Sequence, residues 1–135
     1  MPFPYTDRAQ ADDFLFEFFL STKTVPALFD AWRQLGLVVG IKIEDLDLGY
    51  TLDCTSGKDV VMSKGYPTTP PGAALKLTSD TFHRLFSGKL NIMIAFSARK
   101  VKTEGNVAGI MKLTRLMPLL IQLYKDYLKQ KGLSE

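Results

Sequence analysis

The sequence predicts an α+β fold with an antiparallel or mixed sheet of about five strands between helical segments. Three observations lead there. Apolar residues recur at helical spacing up to Gly36, alternate strictly from Val39, and return to helical spacing from Phe82. The Pro-rich stretch Tyr66-Pro67-Thr68-Thr69-Pro70-Pro71-Gly72 sits between alternating runs that need shared pairing, so it reads as a stiff loop within one domain. A chain of 135 residues suits one core. Residues 1–135 are therefore expected to form a single domain, with an N-terminal helical pair over 6–36, a core over 37–116 and a C-terminal helix over 117–131.

Thr6 and Asp7 are suited to cap a first helix in which Phe14, Leu15, Phe18 and Phe19 share a face opposite Asp12, Asp13 and Glu17; Phe16 falls off that stripe. Ser21 to Val25 interrupt it. Pro26 opens a second helix with Leu28, Phe29, Trp32 and Leu35 inward, and Gly36 stops it. Val39, Ile41 and Ile43 then mark one strand, and Leu46, Leu48, Tyr50 and Leu52 an antiparallel second. Thr55 to Asp59 form a turn before a short strand containing Val60 and Met62, and Ala73, Leu75 and Leu77 alternate in a fourth. Thr78 or Ser79 caps a short helix carrying Phe82, Leu85 and Phe86, which Gly88 ends. Asn91 caps another with Ile92, Ile94 and Phe96 as its apolar residues, and Arg99 to Glu104 read as a strand with a wetted face. Gly105 turns the chain. From Asn106 a last helical region presents Val107, Ile110, Met111, Leu113, Met117, Leu120, Leu123, Tyr124, Tyr127 and Leu128 as its apolar side, with Pro118 kinking or restarting it.

Composition narrows the function classes. Hydrophobic residues make up 46% and charged residues 23%, as in an ordinary globular protein, with neither a repeat nor a low-complexity segment. A net charge of +3, with Lys and Arg mostly dispersed, argues against nucleic acid. The clusters Arg99-Lys100-Val101-Lys102 and Lys125, Lys129, Lys131 suit a transient contact with anionic lipid surfaces. One cysteine, Cys54, excludes an intrachain disulfide and a cysteine-based zinc site, so a cytoplasmic setting is expected. The opening Met1-Pro2-Phe3-Pro4-Tyr5 is not leader-like, no apolar run is long enough to span a bilayer, and the final residues are not a Ser-Lys-Leu peroxisomal address; a soluble protein is expected.

The second half resembles the type-2 sterol carrier proteins and their bacterial relatives. The likeness lies in Thr78-Ser79-Asp80 leading into a helix with Phe82 and Leu85, then Gly88-Lys89-Leu90-Asn91, Ala95-Phe96, Lys100-Val101-Lys102, Gly105-Asn106, and Met111-Lys112-Leu113 with Leu116. Arg99 and Ala74 depart from the Gly and Asp usual at those places in the family. The resemblance implies that the sheet is covered by helices on one face, with an apolar tunnel between them for sterols, fatty acyl chains or similar lipids, and no fixed catalytic residue.

A lipid site needs apolar walls and one opening toward water. The candidate walls are Phe82, Leu85, Phe86, Ile92, Phe96, Met111, Leu113, Leu116, Met117 and Leu120, each of which plain core burial would also explain. Gly88-Lys89 lacks the upstream glycine and following Ser or Thr of a phosphate loop and is read as a helix stop. Asp80, His83 and Cys54 suggest a nucleophile system on paper, but Cys54 is better read as a small buried residue and His83 as a surface or capping side chain. Asp45, Asp47 and Asp53 are expected on one wet strand face, with Glu44 out of phase; no metal and no cofactor is assigned. The stripe Leu120, Leu123, Tyr124, Tyr127, Leu128 covers the core, or else pairs with a second copy in a homodimer. The leading expectation is non-catalytic binding and transfer of a small lipid. The second is a regulatory interaction module with a filled tunnel, and the third a lipid-modifying enzyme.

Overall fold

The computed structural model describes residues 7–133. Thr6, the opening pentapeptide, Ser134 and Glu135 lie outside the described residues.

Helix α1 (Arg8–Ser21) is capped by Asp7, whose side chain accepts from the Gln10 amide at 2.8 Å. It buries Ala11, Leu15, Phe18 and Phe19. Phe14 and Phe16 are half-buried, and Phe16 stacks beside Tyr50 at 6.0 Å, so the residue off the stripe still finds an aromatic partner. A 3₁₀ turn over Thr22–Thr24 leads to α2 (Pro26–Leu35), which Gly36 ends in the left-handed conformation. Buried Thr22 ties the two helices together: its hydroxyl accepts from the Trp32 indole at 2.9 Å and donates to the Phe19 carbonyl at 2.5 Å.

The sheet contains β1 (Val38–Ile43), β2 (Leu48–Asp53), β3 (Val61–Lys64), β4 (Ala73–Leu77) and β5 (Lys102–Gly105), in the order β3-β2-β1-β4-β5. All neighbours are antiparallel except β1 and β4, which run parallel. That crossover forces the 65–72 loop from one side of the sheet to the other. It passes over β2 and β1, donating from the Gly65 amide to the Gly49 carbonyl at 2.7 Å and from the Gly72 amide to the Val38 carbonyl at 2.9 Å. Gly49 is required beneath it: a Cβ there would lie 2.7 Å from the Tyr66 amide nitrogen.

The opposite face carries Val39, Ile41, Ile43, Leu48, Tyr50, Leu52, Ala73, Leu75 and Leu77, all buried under the helices. Those are α1, α2, α3 (Ser79–Phe86), α4 (Ile92–Ser97), α5 (Val107–Thr114) and α6 (Met117–Gln130). The apolar stripe of α6 buries Leu120, Tyr124, Tyr127 and Leu128 in the core of its own chain.

Some element edges differ from expectation. Leu46 sits in a 3₁₀ turn over Glu44–Leu46 and not in β2, because Asp47 takes a left-handed conformation between them. Val60 is buried just before β3, and β5 starts at Lys102 because Arg99, also left-handed, first turns the chain out of α4. The acids do not share a strand face. Asp45 accepts from the Ser79 amide and hydroxyl, both at 2.7 Å, while Asp47 pairs with Lys42 at 2.6 Å.

Several surface carboxylates are held below their usual range by their donors: Asp47 by Lys42, Asp53 by Thr55, Asp59 by Lys23 and Glu104 by Tyr66. A carboxyl depressed in the folded state contributes stability above its unfolded pKa and loses it as pH falls through the folded value. Urea midpoints should hold steady near neutrality and decline below about pH 4. A flat profile down to about pH 2 would contradict this.

Candidate functional site

α3 is capped by Thr78, whose hydroxyl accepts from the Thr81 amide at 3.2 Å, and closes through Gly88 in a left-handed turn. The Lys89 and Leu90 amides fold back onto the Arg84 carbonyl at 2.8 and 3.1 Å. Asn91 then caps α4, accepting from the Met93 and Ile94 amides at 2.8 and 3.3 Å. On this six-residue helix Ala95 is buried and Ile92 and Phe96, one turn apart, are half-buried. Ile94, the third apolar residue of this helix, is 61% exposed, since it lies on the side of the helix away from that pair.

The candidate walls separate into distinct environments. Phe82, Phe86, Leu113 and Leu120 are buried. The Phe82 and Phe86 rings stack with centroids 4.0 Å apart, and Tyr124 meets both edge-on at 5.9 and 6.0 Å. Phe18 reaches Tyr124 at 5.1 Å, so aromatic rings from α1, α3 and α6 interlock. Leu85, Ile92 and Met117 instead line a cleft of ≈ 370 Å³ between the α3–α4 turn and α6, together with Leu90, Pro118 and Ile121. Its rim carries Lys89, Asn91 and Thr114. Phe96 and Met111 line a second, open cleft of ≈ 440 Å³ with Val101, Val107 and Ile110. Leu116 borders a third of ≈ 260 Å³ against α2.

The first two clefts run along one seam, because α4 supplies Ile92 to one and Phe96 to the other, while α5 supplies Thr114 and Ile110. Sequence reading missed Leu90, Pro118 and Ile121. For Ile121 a signal existed: it follows Met117 by four residues on α6 and therefore shares its face. Val107 and Met111, read as apolar-side residues, are 74% and 51% exposed because α5 is short and lies at the edge of the helical layer. The 65–72 loop shelters another depression, of ≈ 310 Å³, but Thr51, Asp53, Ser63, Thr68 and Thr69 make it polar.

His83 and Cys54 are both buried, and they are held by different partners. His83 is not a surface residue: it is 8% exposed, with Nδ1 2.8 Å from the Tyr124 hydroxyl, joining α3 to α6 inside the core. Cys54 is buried, and its sulfur is directed at the Leu52 carbonyl 3.8 Å away. Burial, with a smaller contribution from the Asp53 charge, pushes the thiol up to about 12. At pH 8 only about one thiol in ten thousand would be ionised. Native protein should therefore resist alkylation until unfolded, and Cys54→Ser should leave lipid binding unchanged; rapid stoichiometric labelling of the native chain would contradict this. Among the described residues no group of three or more His, Cys, Asp or Glu is placed to hold a metal ion.

The SCP-2 sterol transfer family profile matches residues 20–118. The chain belongs to this family. Among solved structures it is similar to the sterol carrier protein domain 2 of Helicoverpa armigera, with TM-score 0.62 and 21% identity over 90% of this chain and 94% of that one. It is also similar to sterol carrier protein 2 of Yarrowia lipolytica in its apo form, with TM-score 0.60 and 20% identity over 84% and 91%. These likenesses establish the SCP-2 fold. A 53-residue stretch is 40% identical to Hydroxysteroid dehydrogenase-like protein 2 of Homo sapiens, covering 39% of this chain and 13% of the human protein. Lipid binding and transfer is the activity that SCP-2 membership supports. No single described helix is long and apolar enough to cross a membrane; α5 and α6 together have the length and composition but are bent by 45° at their junction.

Proposed function

We propose that this SCP-2 domain carries one small apolar lipid, a fatty acyl chain or sterol-like molecule, which enters along the seam between α4 and α5–α6. The observation that carries the reading is the cleft with Leu85, Ile92, Met117 and Ile121 as its floor and Lys89, Asn91 and Thr114 on its rim. An apolar floor takes the tail, and a polar rim leaves the head group in water. The candidate wall residues divide into two roles in this reading. Leu85, Ile92, Phe96, Met111 and Met117 meet the lipid first, whereas Phe82, Phe86, Leu113 and Leu120 form the inner layer that a long chain would displace to open a tunnel; Leu116, on the third cleft against α2, lies apart from this path.

About ten buried methylenes would contribute roughly 8 kcal/mol of transfer energy at ~0.8 each. Association costs of about 4–15 kcal/mol offset much of it, so binding is reversible, with affinity around micromolar. Carriage is non-catalytic and cytoplasmic in this reading, in keeping with the inert, buried Cys54. A homodimer would have to use surface other than the α6 stripe, which is buried in its own chain.

A photoactivatable fatty acid maps the site directly. Adducts are expected on peptides covering Leu85–Ile92 and Thr114–Ile121. Labelling confined to the Tyr66–Thr69 loop, or none with folded protein, would overturn the assignment.

A further inference from the structure

Outside the α3–α6 cleft, the same end of the molecule carries an apolar surface that is exposed among the described residues. Met93 and Ile94 on α4 are 64% and 61% exposed, and on α5 Val107 and Met111 are exposed beside half-buried Phe96. Apolar side chains this open on two adjacent short helices mark a contact surface.

Charge indicates what covers it. Residues 81–125 carry eight Lys or Arg and a single acid, Glu104, whereas the remaining sequence carries more acids than bases. The pairing pattern differs as well. Elsewhere Lys23, Lys42, Lys64, Lys76 and Lys131 each meet a carboxylate within 3.5 Å. Around the apolar surface Arg99, Lys100 and Lys112 are exposed and make no salt bridge among the described residues. Lys102 there pairs with Glu44 at 3.4 Å. Left-handed Arg99 holds the basic turn immediately after α4, so cations border the apolar residues without covering them.

We infer that the α4–α5 face docks on an anionic lipid bilayer, with Met93, Ile94 and Val107 entering the interface and Arg99, Lys100 and Lys112 meeting the lipid head groups. An apolar centre with a cationic border matches the two components of interfacial attachment, burial of side chains and attraction to negative lipid. The inference deepens the lipid-carrier reading, since docking would place the mouth of the α4–α6 seam at the membrane, where cargo leaves without crossing water. Docking is nevertheless measurable with no cargo present.

The test is flotation of the full chain with vesicles of phosphatidylcholine alone or with about 30 mol% phosphatidylserine. Partitioning should be at least about tenfold stronger onto the anionic vesicles and should collapse when salt rises from about 0.05 to 0.5 M. Met93→Asp combined with Ile94→Asp, neither of which lines a cleft, should lower it by about tenfold or more, and Lys100→Glu by roughly fivefold or more. These side chains are exposed, so unchanged thermal unfolding verifies that the variants fold, and an acyl probe without vesicles should still bind them. Loss of vesicle binding with probe binding intact locates docking on this face. Equal partitioning onto neutral and anionic vesicles, or variants that partition like the parent, would overturn the inference even if the parent binds the probe. No partitioning at all would also overturn it and leave a protein partner as the occupant.

Discussion

Gly105→Ala should destabilise the fold by about 2–6 kcal/mol, enough to lower Tm by roughly 10 °C or more. Gly105 ends β5 at φ +109°, a backbone conformation that residues with a Cβ rarely adopt. A Cβ there would also lie 2.3 Å from the Gly72 carbonyl oxygen and 3.0 Å from the Ala73 Cα. Those atoms are backbone and have no rotamer through which to yield. The Asn106 amide donates to that same Gly72 carbonyl at 3.3 Å, so displacing it would loosen the N-terminus of α5 as well. Gly57→Ala provides the control, since Gly57 has φ +73° but nothing within 4 Å of the added atom. It should cost only about 1–2 kcal/mol. Equal losses for the two variants in urea unfolding would mean that the approach of β5 to β4 is not as tight as described.

Phe82→Ala should cost about 3–5 kcal/mol and also change how the protein responds to lipid. Phe82 is buried at the centre of the interlocked rings, stacked on Phe86 and edge-on to Phe19 at 6.0 Å and to Tyr124. Removing it leaves an apolar void behind the seam that the surrounding helices can only partly close. In the carrier reading an acyl chain reaches this inner layer. Fatty acid should then stabilise Phe82→Ala more than the parent, by about 1.4 kcal/mol for each tenfold by which the void tightens Kd. Equal stabilisation of variant and parent by fatty acid would confine the lipid to the outer cleft.

The sequence discloses periodicity, caps and chain reversals well because each depends on neighbours a few residues apart. Asn91 and Asn106 cap α4 and α5 as their positions predict, and Gly36 and Gly88 terminate α2 and the α3 turn. What it does not disclose is which element lies opposite. His83 reads as a surface residue because its partner, Tyr124, is 41 residues away. Alternation in Ala73, Leu75 and Leu77 marks a strand but carries no direction, so the parallel pairing with β1 could not be read from it. A trace was present in Gly40 and Gly49, glycines inside strands where the 65–72 loop passes close above.

The candidate site follows the same logic. Helical spacing identifies Phe82, Leu85 and Phe86 as an inward face, yet the choice between core and cleft wall depends on where α6 lies. Leu85 reaches the cleft and its two neighbours face the aromatic cluster. Val107 and Met111 have the spacing of a buried stripe, but both are exposed, and α5 turns Gly109 and Leu113 inward instead.

Titration of folded protein with a fluorescent fatty acyl probe, on the parent chain and on Ile121→Arg, tests the central claim most directly. The side chain of Ile121 borders the cleft and is half-buried, so the longer cation can be accommodated without loss of fold while it obstructs the apolar floor. The parent should bind one probe per chain saturably with Kd around micromolar, and the variant about tenfold more weakly at unchanged unfolding temperature. No saturable binding by the folded parent, or equal affinity in the variant, would contradict a lipid site between α4 and α6.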